Sequence, residues 1–438
     1  MRKPWTASII AVAALAAAGC QSGSNGGSDS EAAIAPTDPT RVSGSITVLT
    51  NRTDLVENGT YDGYAKRFNE KYPEVKVAFE GSTDYEGETK VRLTGEDYGD
   101  VLLIPNSVEA GKYPDFFAPL GSPEDLSKKY DFTDRGTVGD QVYGLAGIAT
   151  AQGFVYNKAV WEKAGVTEWP RTPKEFLVAL KAIKDKTDAT PYYTNYKDMW
   201  PLTNWGNAVG ATTCDADASD RMVETDELWK SGEELATIDS LLFDIVDQGL
   251  SEEDPTTTNW EKSKDLIGTG KVATMQLGSW AVIQMRQAAE KAGADPKDIG
   301  FMPFPSRDGE TLCTPVRPDY QFAVNKNSEH KAAARAWIDW FLNESGDARS
   351  ALSISTVKGS PLPETLQEFE TQDVEFINMA SKKTSQLNQI DKASEIGLSA
   401  PDYRQRLIDA ARGAADGSRD SIFAELNKKW SEAKSTVG

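Results

Sequence analysis

The chain has 438 residues, 39% of them apolar, and a formal charge of −20; that length exceeds what one hydrophobic core usually serves, so two domains are expected. So acidic a surface repels nucleic-acid phosphates and anionic lipid heads, which excludes both as expected partners. No apolar stretch after residue 20 is long enough to span a bilayer, while 15 Phe, 14 Tyr and 11 Trp can fill sizeable cores and leave an aromatic surplus.

The N-terminus reads as an export signal. Arg2 and Lys3 form a basic start, and Ala7 to Ala18 is almost wholly Ala, Ile, Val and Leu, the length of a secretory apolar segment. Ala17-Ala18-Gly19-Cys20 follows and resembles a bacterial lipobox, with Ala17 where Leu is commonest. The expectation is a signal peptide over 1–19, a lipidated Cys20, and a flexible tether over 20–43. The Ser, Gly, Asp, Ala and Pro of that tether bury too little surface to offset ordering entropy.

Regular patterning then begins. Ser45–Thr50 reads as a buried strand, Thr60–Lys71 as a helix with Tyr61, Tyr64, Ala65 and Phe68 on one face, stopped by Pro73. Val75–Glu80 and Asp100–Pro105 read as two more strands, and strand–helix–strand implies a parallel pair in an α/β layer. Thr172-Pro173-Lys174-Glu175 is a capping box opening a helix with Phe176, Leu177, Leu180 and Ile183 on one side. Ser328 starts another, striped by Ala334, Trp337, Ile338, Phe341 and Leu342.

The inventory for catalysis is thin. The single histidine, His330, sits in a helix-capping turn, and no nucleophile elbow, HExxH or paired CxxC occurs. Gly268-Thr269-Gly270-Lys271 lacks the upstream glycine and has Val272 where a phosphate loop needs Ser or Thr, so it reads as a turn before a strand. No metal site or cofactor is implied. Carboxylates are abundant, but nothing singles out a glycosidase pair. Cys214 and Cys313, the two remaining cysteines, are either bridged, as exported thiols tend to be, or separately buried. Trp200 and Trp205 lie in Met199-Trp200-Pro201-Leu202-Thr203-Asn204-Trp205, too rich in polar residues and proline for a plain core helix, and Trp280 follows Leu277-Gly278-Ser279 at a strand end. Aromatic faces flanked by polar side chains are what a sugar's C–H faces and hydroxyls require.

One segment carries a family resemblance: Val142-Tyr143-Gly144-Leu145 through Gly153-Phe154-Val155-Tyr156-Asn157-Lys158-Ala159-Val160-Trp161-Glu162-Lys163-Ala164-Gly165. Gly270-Lys271-Val272-Ala273-Thr274-Met275 with Gly278-Ser279-Trp280, then Ile299-Gly300-Phe301-Met302-Pro303-Phe304-Pro305, then Phe322-Ala323-Val324-Asn325-Lys326-Asn327-Ser328 follow in order. Together they resemble the sugar-binding extracellular solute-binding proteins of ABC importers, the subgroup that includes the maltose-binding protein. The pattern departs at Ala146, where Pro commonly stands, and in the loop after the third strand, which lacks an aromatic.

The resemblance implies an α/β fold: a two-lobed periplasmic-binding-protein-like clamp. Each lobe is a mixed, largely parallel sheet flanked by helices, with about three hinge crossings near Ala151, Tyr320 and Lys358. The lobes would comprise 44–151 with 321–358, and 152–320 with 359–438. The implied function is capture of a carbohydrate, with an oligosaccharide expected, by a lipid-anchored monomer on the outer face of the cell membrane. The ligand would pass to the permease and its cytoplasmic ATPase. A peptide, polyamine or glycerol phosphodiester ligand is the alternative, and a secreted glycosidase a more distant one. By resemblance Trp280 stacks on a sugar. Asn51 and Arg52, Asn106 and Ser107, and Thr150 and Gln152 occupy the loops where polar contacts lie. Asn195 with Trp200 and Trp205, and Tyr403, would contribute from the second lobe, while Arg317, Asp319 and Tyr320 flank a crossing.

Overall fold

The computed structural model describes residues 33–34, 38–379, 381 and 383–437; the expected export signal and Cys20 lie outside them. Two six-stranded sheets organise the described chain. The first expected strand forms over Gly44–Thr50 and pairs in parallel with Val75–Gly81, from Gly44 opposite Val75 to Thr50 opposite Gly81. It also pairs in parallel with Val101–Leu103. Helix Thr60–Lys71 connects the first two strands and buries Tyr61, Tyr64 and Phe68, the face its spacing predicts. A strand from far along the chain, Gln321–Asn325, completes the centre of the sheet antiparallel to Val101–Leu103.

Helix Lys331–Glu344 then covers this sheet, its Trp337 ring 5.2 Å from Phe68 and edge-on to it. It begins three residues after Ser328 because that hydroxyl is already committed, donating to the Asp100 carboxylate and accepting the His330 N–H. The tether ends earlier than residue 43. Pro39–Arg41 forms a 3-10 turn capped by Asp38, and Val42 is buried. The Ile34 N–H donates to the Pro119 carbonyl at 2.9 Å, and the Ile34 carbonyl accepts from Arg335 at 3.0 Å. Two apolar side chains in a polar run suffice to anchor it.

The second sheet is built on Ile148–Asn157, buried along nearly its whole length. Alternate residues serve two cores, as the strand period requires: Phe154 and Tyr156 join Phe176, Trp205 and Leu242, while Ala151 and Val155 join Met275, Leu277, Phe301 and Phe369. A Cβ at Gly153 would collide with the Met302 carbonyl, so the close strand approach there needs glycine. This sheet is mixed, but its pairing is mainly antiparallel rather than parallel. Thr274–Gly278, Ile299–Pro303, Cys313–Pro318 and Ile354–Ser355 all run back along the central strand, and only Cys313–Pro318 with Glu375–Asn378 is parallel.

The capping box at Thr172 forms in both directions, heading helix Pro173–Lys186. The Gly268–Lys271 run closes a helix, with Gly270 at φ 70° and the Lys271 N–H on the Leu266 carbonyl, before strand Thr274–Gly278. The chain leaves the first sheet at Ala146, opposite Gln321, and enters the second at Ile148; it returns between Pro318 and Gln321. Phe132, Ala146, Ala149 and Val316 make a small apolar cluster around these passages. Cys214 and Cys313 are bridged, their Cα atoms 5.4 Å apart across 99 positions of sequence. Closing a loop of that size stabilises a fold by roughly 4 kcal/mol in the chain-entropy account.

Candidate functional site

The second sheet aims its polar groups at the passage between sheets. Register places Thr150 opposite Arg317 and Gln152 opposite Gly278. After Gly278 the chain turns: Ser279 exchanges two hydrogen bonds with Ala151, its N–H to the carbonyl at 2.8 Å and its hydroxyl accepting the N–H at 3.1 Å. Trp280 is thereby fixed to the passage strand. A Cβ on Gly278 would lie 2.6 Å from the Trp280 indole and 3.4 Å from the Gln152 amide nitrogen, so indole and amide sit side by side only because this residue is glycine.

Two more tryptophans meet Trp280. The Trp200 and Trp260 ring centres are 6.0 and 5.7 Å from it and 4.9 Å from each other, at interplanar angles of 39°, 57° and 76°. The loops that carry them are stapled together: the Trp260 N–H donates to the Asp198 carboxylate, and the Lys197 N–H to the Thr258 hydroxyl at 2.8 Å. Asn259 caps helix Trp260–Gly268, and its own N–H reaches the Tyr193 hydroxyl. Trp200 opens a four-residue helix after Met199, held at φ 64°, and is 38% exposed.

Amides around these rings have unused capacity. Gln152 donates to the Thr150 hydroxyl at 3.2 Å and Gln276 to the Asn204 carbonyl at 2.9 Å, yet neither Oε1 has a partner within the protein. Asn195, fully buried at φ 56°, has none for either amide atom. Buried polar atoms are normally paired, so this concentration marks a place built for another molecule's hydroxyls or water. Next to Asn195, Glu252 accepts the Thr194 N–H, and burial pushes its carboxyl up to about 7.

The first sheet contributes a different wall. Arg52 makes two hydrogen bonds to Asp54, at 2.9 and 2.7 Å, beside Asn51. Glu86 Oε1 accepts from the Asn106 N–H at 2.9 Å, the Asn106 amide at 3.0 Å and the Tyr320 hydroxyl at 2.8 Å; Asn106 and Ser107 are exposed. Asp319 keeps exposed surface, yet burial raises its carboxyl while Arg52 pulls it back down. A group open to water but hemmed in by protein is what a cleft floor contains. Arg52, Asp319, Arg317, Thr150, Gln152 and Trp280 thus form a continuous polar-to-aromatic path across the passage.

Two expected residues lie elsewhere. Trp205 is 1% exposed, its ring 5.8–6.0 Å from Phe154, Tyr192 and Phe304. It is a core residue, turned inward by the 3-10 turn Asn204–Ala208. Tyr403 is buried against Trp229 and the ion pair of Arg404 with Asp239, with no open face for a ligand. Trp260, Glu86 and Gln276 were not anticipated. Asn259-Trp260 after a threonine run has the same loop character that drew attention to Trp200. Among the described residues no group of metal-binding side chains occurs, and no helix is long and apolar enough to cross a membrane.

Two mixed α/β sheets with a polar and aromatic passage between them define a two-lobed binding protein. Residues 53–348 match the family described as bacterial extracellular solute-binding protein, and the chain belongs to that family. An uncharacterised extracellular-binding protein of an ABC transporter from Pyrococcus horikoshii is 21% identical over 385 residues, 83% of this chain and 81% of that one. A binding protein of an ABC transporter from Bifidobacterium animalis subsp. lactis, solved with mannobiose, is 32% identical with a TM-score of 0.81 over 91% of this chain and 96% of that one. A manno-oligosaccharide specific solute binding protein of the same organism, solved with mannotriose, is 31% identical with the same TM-score and coverage.

Proposed function

We propose that this protein captures an oligosaccharide between its two lobes and delivers it unchanged to the permease of an ABC importer. The observation that carries the reading is the contact of Trp200, Trp260 and Trp280 beside amides with unused hydrogen-bonding capacity. Indole faces supply apolar area to a sugar's C–H surface, and Gln152 and Gln276 supply acceptors for its hydroxyls. A polyamine ligand is less well served, since the Lys264 ammonium already lies 5.0 Å from the Trp260 ring centre and the amide of Gln152, not a carboxylate, lies beside Trp280.

In this reading the lobes comprise 44–151 with 321–358 and 152–320 with 359–438, and they close on the ligand by bending at the passages between sheets. Cys20 carries the lipid that holds the monomer on the outer face of the membrane. The protein does no chemistry on its ligand.

The test is a thermal-shift screen of the chain from Ala33 onward, since Ile34 docks on the first lobe. Mannobiose, mannotriose and chitin oligosaccharides are compared with peptides and polyamines. A ligand that binds only the folded state raises Tm with its concentration relative to Kd. The expected result is a shift with an oligosaccharide that is recovered uncleaved; shifts confined to non-sugars would overturn the carbohydrate reading, and hydrolysis would overturn the binding-only one.

A further inference from the structure

One turn beyond the tryptophans lies a second concavity. Thr203, the last residue of the helix that Trp200 opens, lines a cavity of about 230 Å³ together with Asn207, Ser219, Arg317, Ser399 and Arg404. Two guanidinium groups therefore share one small space, and their charge balance differs.

Arg404 is 0% exposed. Its Nε donates to Asp239 at 3.0 Å and its Nη1 reaches the Leu398 carbonyl at 3.5 Å, but Nη2 has no partner within the protein. A Cβ on Gly206, another lining residue, would sit 3.5–3.6 Å from Nη1 and Nη2, so Arg404 backs the cavity wall just beneath its surface. Asp239 neutralises this arginine. Nothing neutralises Arg317: its Nε is buried without a partner, and no carboxylate among the described residues pairs with it. The charge that bears on it is another cation, Arg135, whose own Nε is also buried and unpaired. Burial and that neighbour hold the Arg317 guanidinium down to about 10, so it remains protonated at neutral pH. The cavity thus borders positive charge that no carboxylate among the described residues balances. A buried, unpaired cation is destabilising unless a ligand offsets it.

We propose that this cavity receives the carboxylate of an acidic sugar, a uronic acid unit of the bound oligosaccharide, held by charge-assisted hydrogen bonds from the Arg317 guanidinium, which keeps some exposed surface while Arg404 lies fully buried behind the wall. The inference rests on the carbohydrate reading above and narrows it to acidic saccharides. A carboxylate presents two coplanar oxygens that match a guanidinium edge. A neutral sugar would accept the same N–H donors but leave the charge unbalanced.

The experiment uses the purified protein with D-glucuronate, D-galacturonate and D-mannuronate beside D-glucose, D-galactose and D-mannose. Two readouts are taken, calorimetric affinity and the arginine Nε–H resonances in a proton–nitrogen spectrum. The expected result is that a uronate moves the Arg317 Nε–H signal and binds at least about tenfold more tightly than its neutral parent. High salt and Arg317→Gln should each reduce that preference. The spectral readout on the unaltered protein decides the matter even if the variant folds poorly. Equal affinity for uronates and neutral parents, or a preference that survives in a folded Arg317→Gln, overturns the inference. Equal response to galactose 6-sulfate would show that the site reads charge alone and overturn the carboxylate assignment. If neutral oligosaccharides change tryptophan emission while no uronate moves the arginine signals, this inference falls and the carbohydrate reading stands. If no saccharide does either, both fall.

Discussion

The two walls of the passage solve opposite problems. On the first wall, Gln321 Oε1 apart, the polar side chains satisfy one another: Arg52 is committed to Asp54, and Asn106 and Tyr320 both to Glu86. On the second sheet Gln152 and Gln276 hold unpaired atoms, and Gln152 lies beside Trp280, one of three touching indoles. A ligand meeting the second wall adds hydrogen bonds without breaking any. One meeting the first wall must exchange bonds already made. On the proposed reading the difference teaches where affinity would reside: in the second lobe, with the first supplying closure and selectivity through bonds that nearly cancel.

The largest effect that sharpens this contrast is on stability rather than binding. Trp205→Ala removes a core ring against Phe154, Tyr192 and Phe304 and should lower unfolding free energy by about 3–5 kcal/mol in a denaturant titration. The folded fraction should keep its affinity; loss of affinity at unchanged stability would put Trp205 back in the site. Next comes Trp280→Ala. It should weaken saccharide binding about 30-fold, roughly 2 kcal/mol, while unfolding stays cooperative.

Glu252 gives an effect of similar size through pH. Its carboxyl is raised from 4.5 to about 7 by burial, so between those values the folded state keeps a proton that the unfolded chain has released. Stability must therefore fall as pH rises from 4.5 to 7, by ~2 kcal/mol once partial exposure is allowed for, and level off above. Glu252→Gln keeps an acceptor for Thr194 and should abolish that loss, so the variant's stability advantage grows across this window in thermal melts. Growth above pH 7 instead would contradict the assignment. The smallest effect is expected on the first wall. Asp54→Ala frees Arg52 from an exposed ion pair that contributes about 0.2–1 kcal/mol, so affinity should change less than about fivefold and toward tighter binding.

How much of this was legible in the sequence follows from what each feature depends on. Strand Gly44–Thr50, helix Thr60–Lys71 and the capping box at Thr172 rest on local spacing and chemistry, and they form as read. The position of Trp280 just after a strand is legible in Gly278-Ser279-Trp280, and the strand Thr274–Gly278 ends where that run places it. Trp200 and Trp205 share one polar loop, yet one faces out and the other in; the sorting is done by Phe154, Tyr192 and Phe304 from three other segments, which local composition does not encode. Trp260 escaped for the converse reason, since its meaning comes from partners 60 and 20 residues away. Tyr403 was readable after all: with Leu407 and Ala410 it makes the buried stripe of helix Asp402–Ala411. The antiparallel bias of the second sheet depends on how four distant segments return to Ile148–Asn157, and no single segment carries it.

The most direct measurement of the central claim is calorimetric titration of the protein and of Trp280→Ala with the oligosaccharide that gives the largest thermal shift. The account predicts saturable one-to-one binding to the first and a loss of about 30-fold in the second, with both proteins folded. Equal affinity of the two would contradict it, because the tryptophan cluster would then not be where the sugar binds.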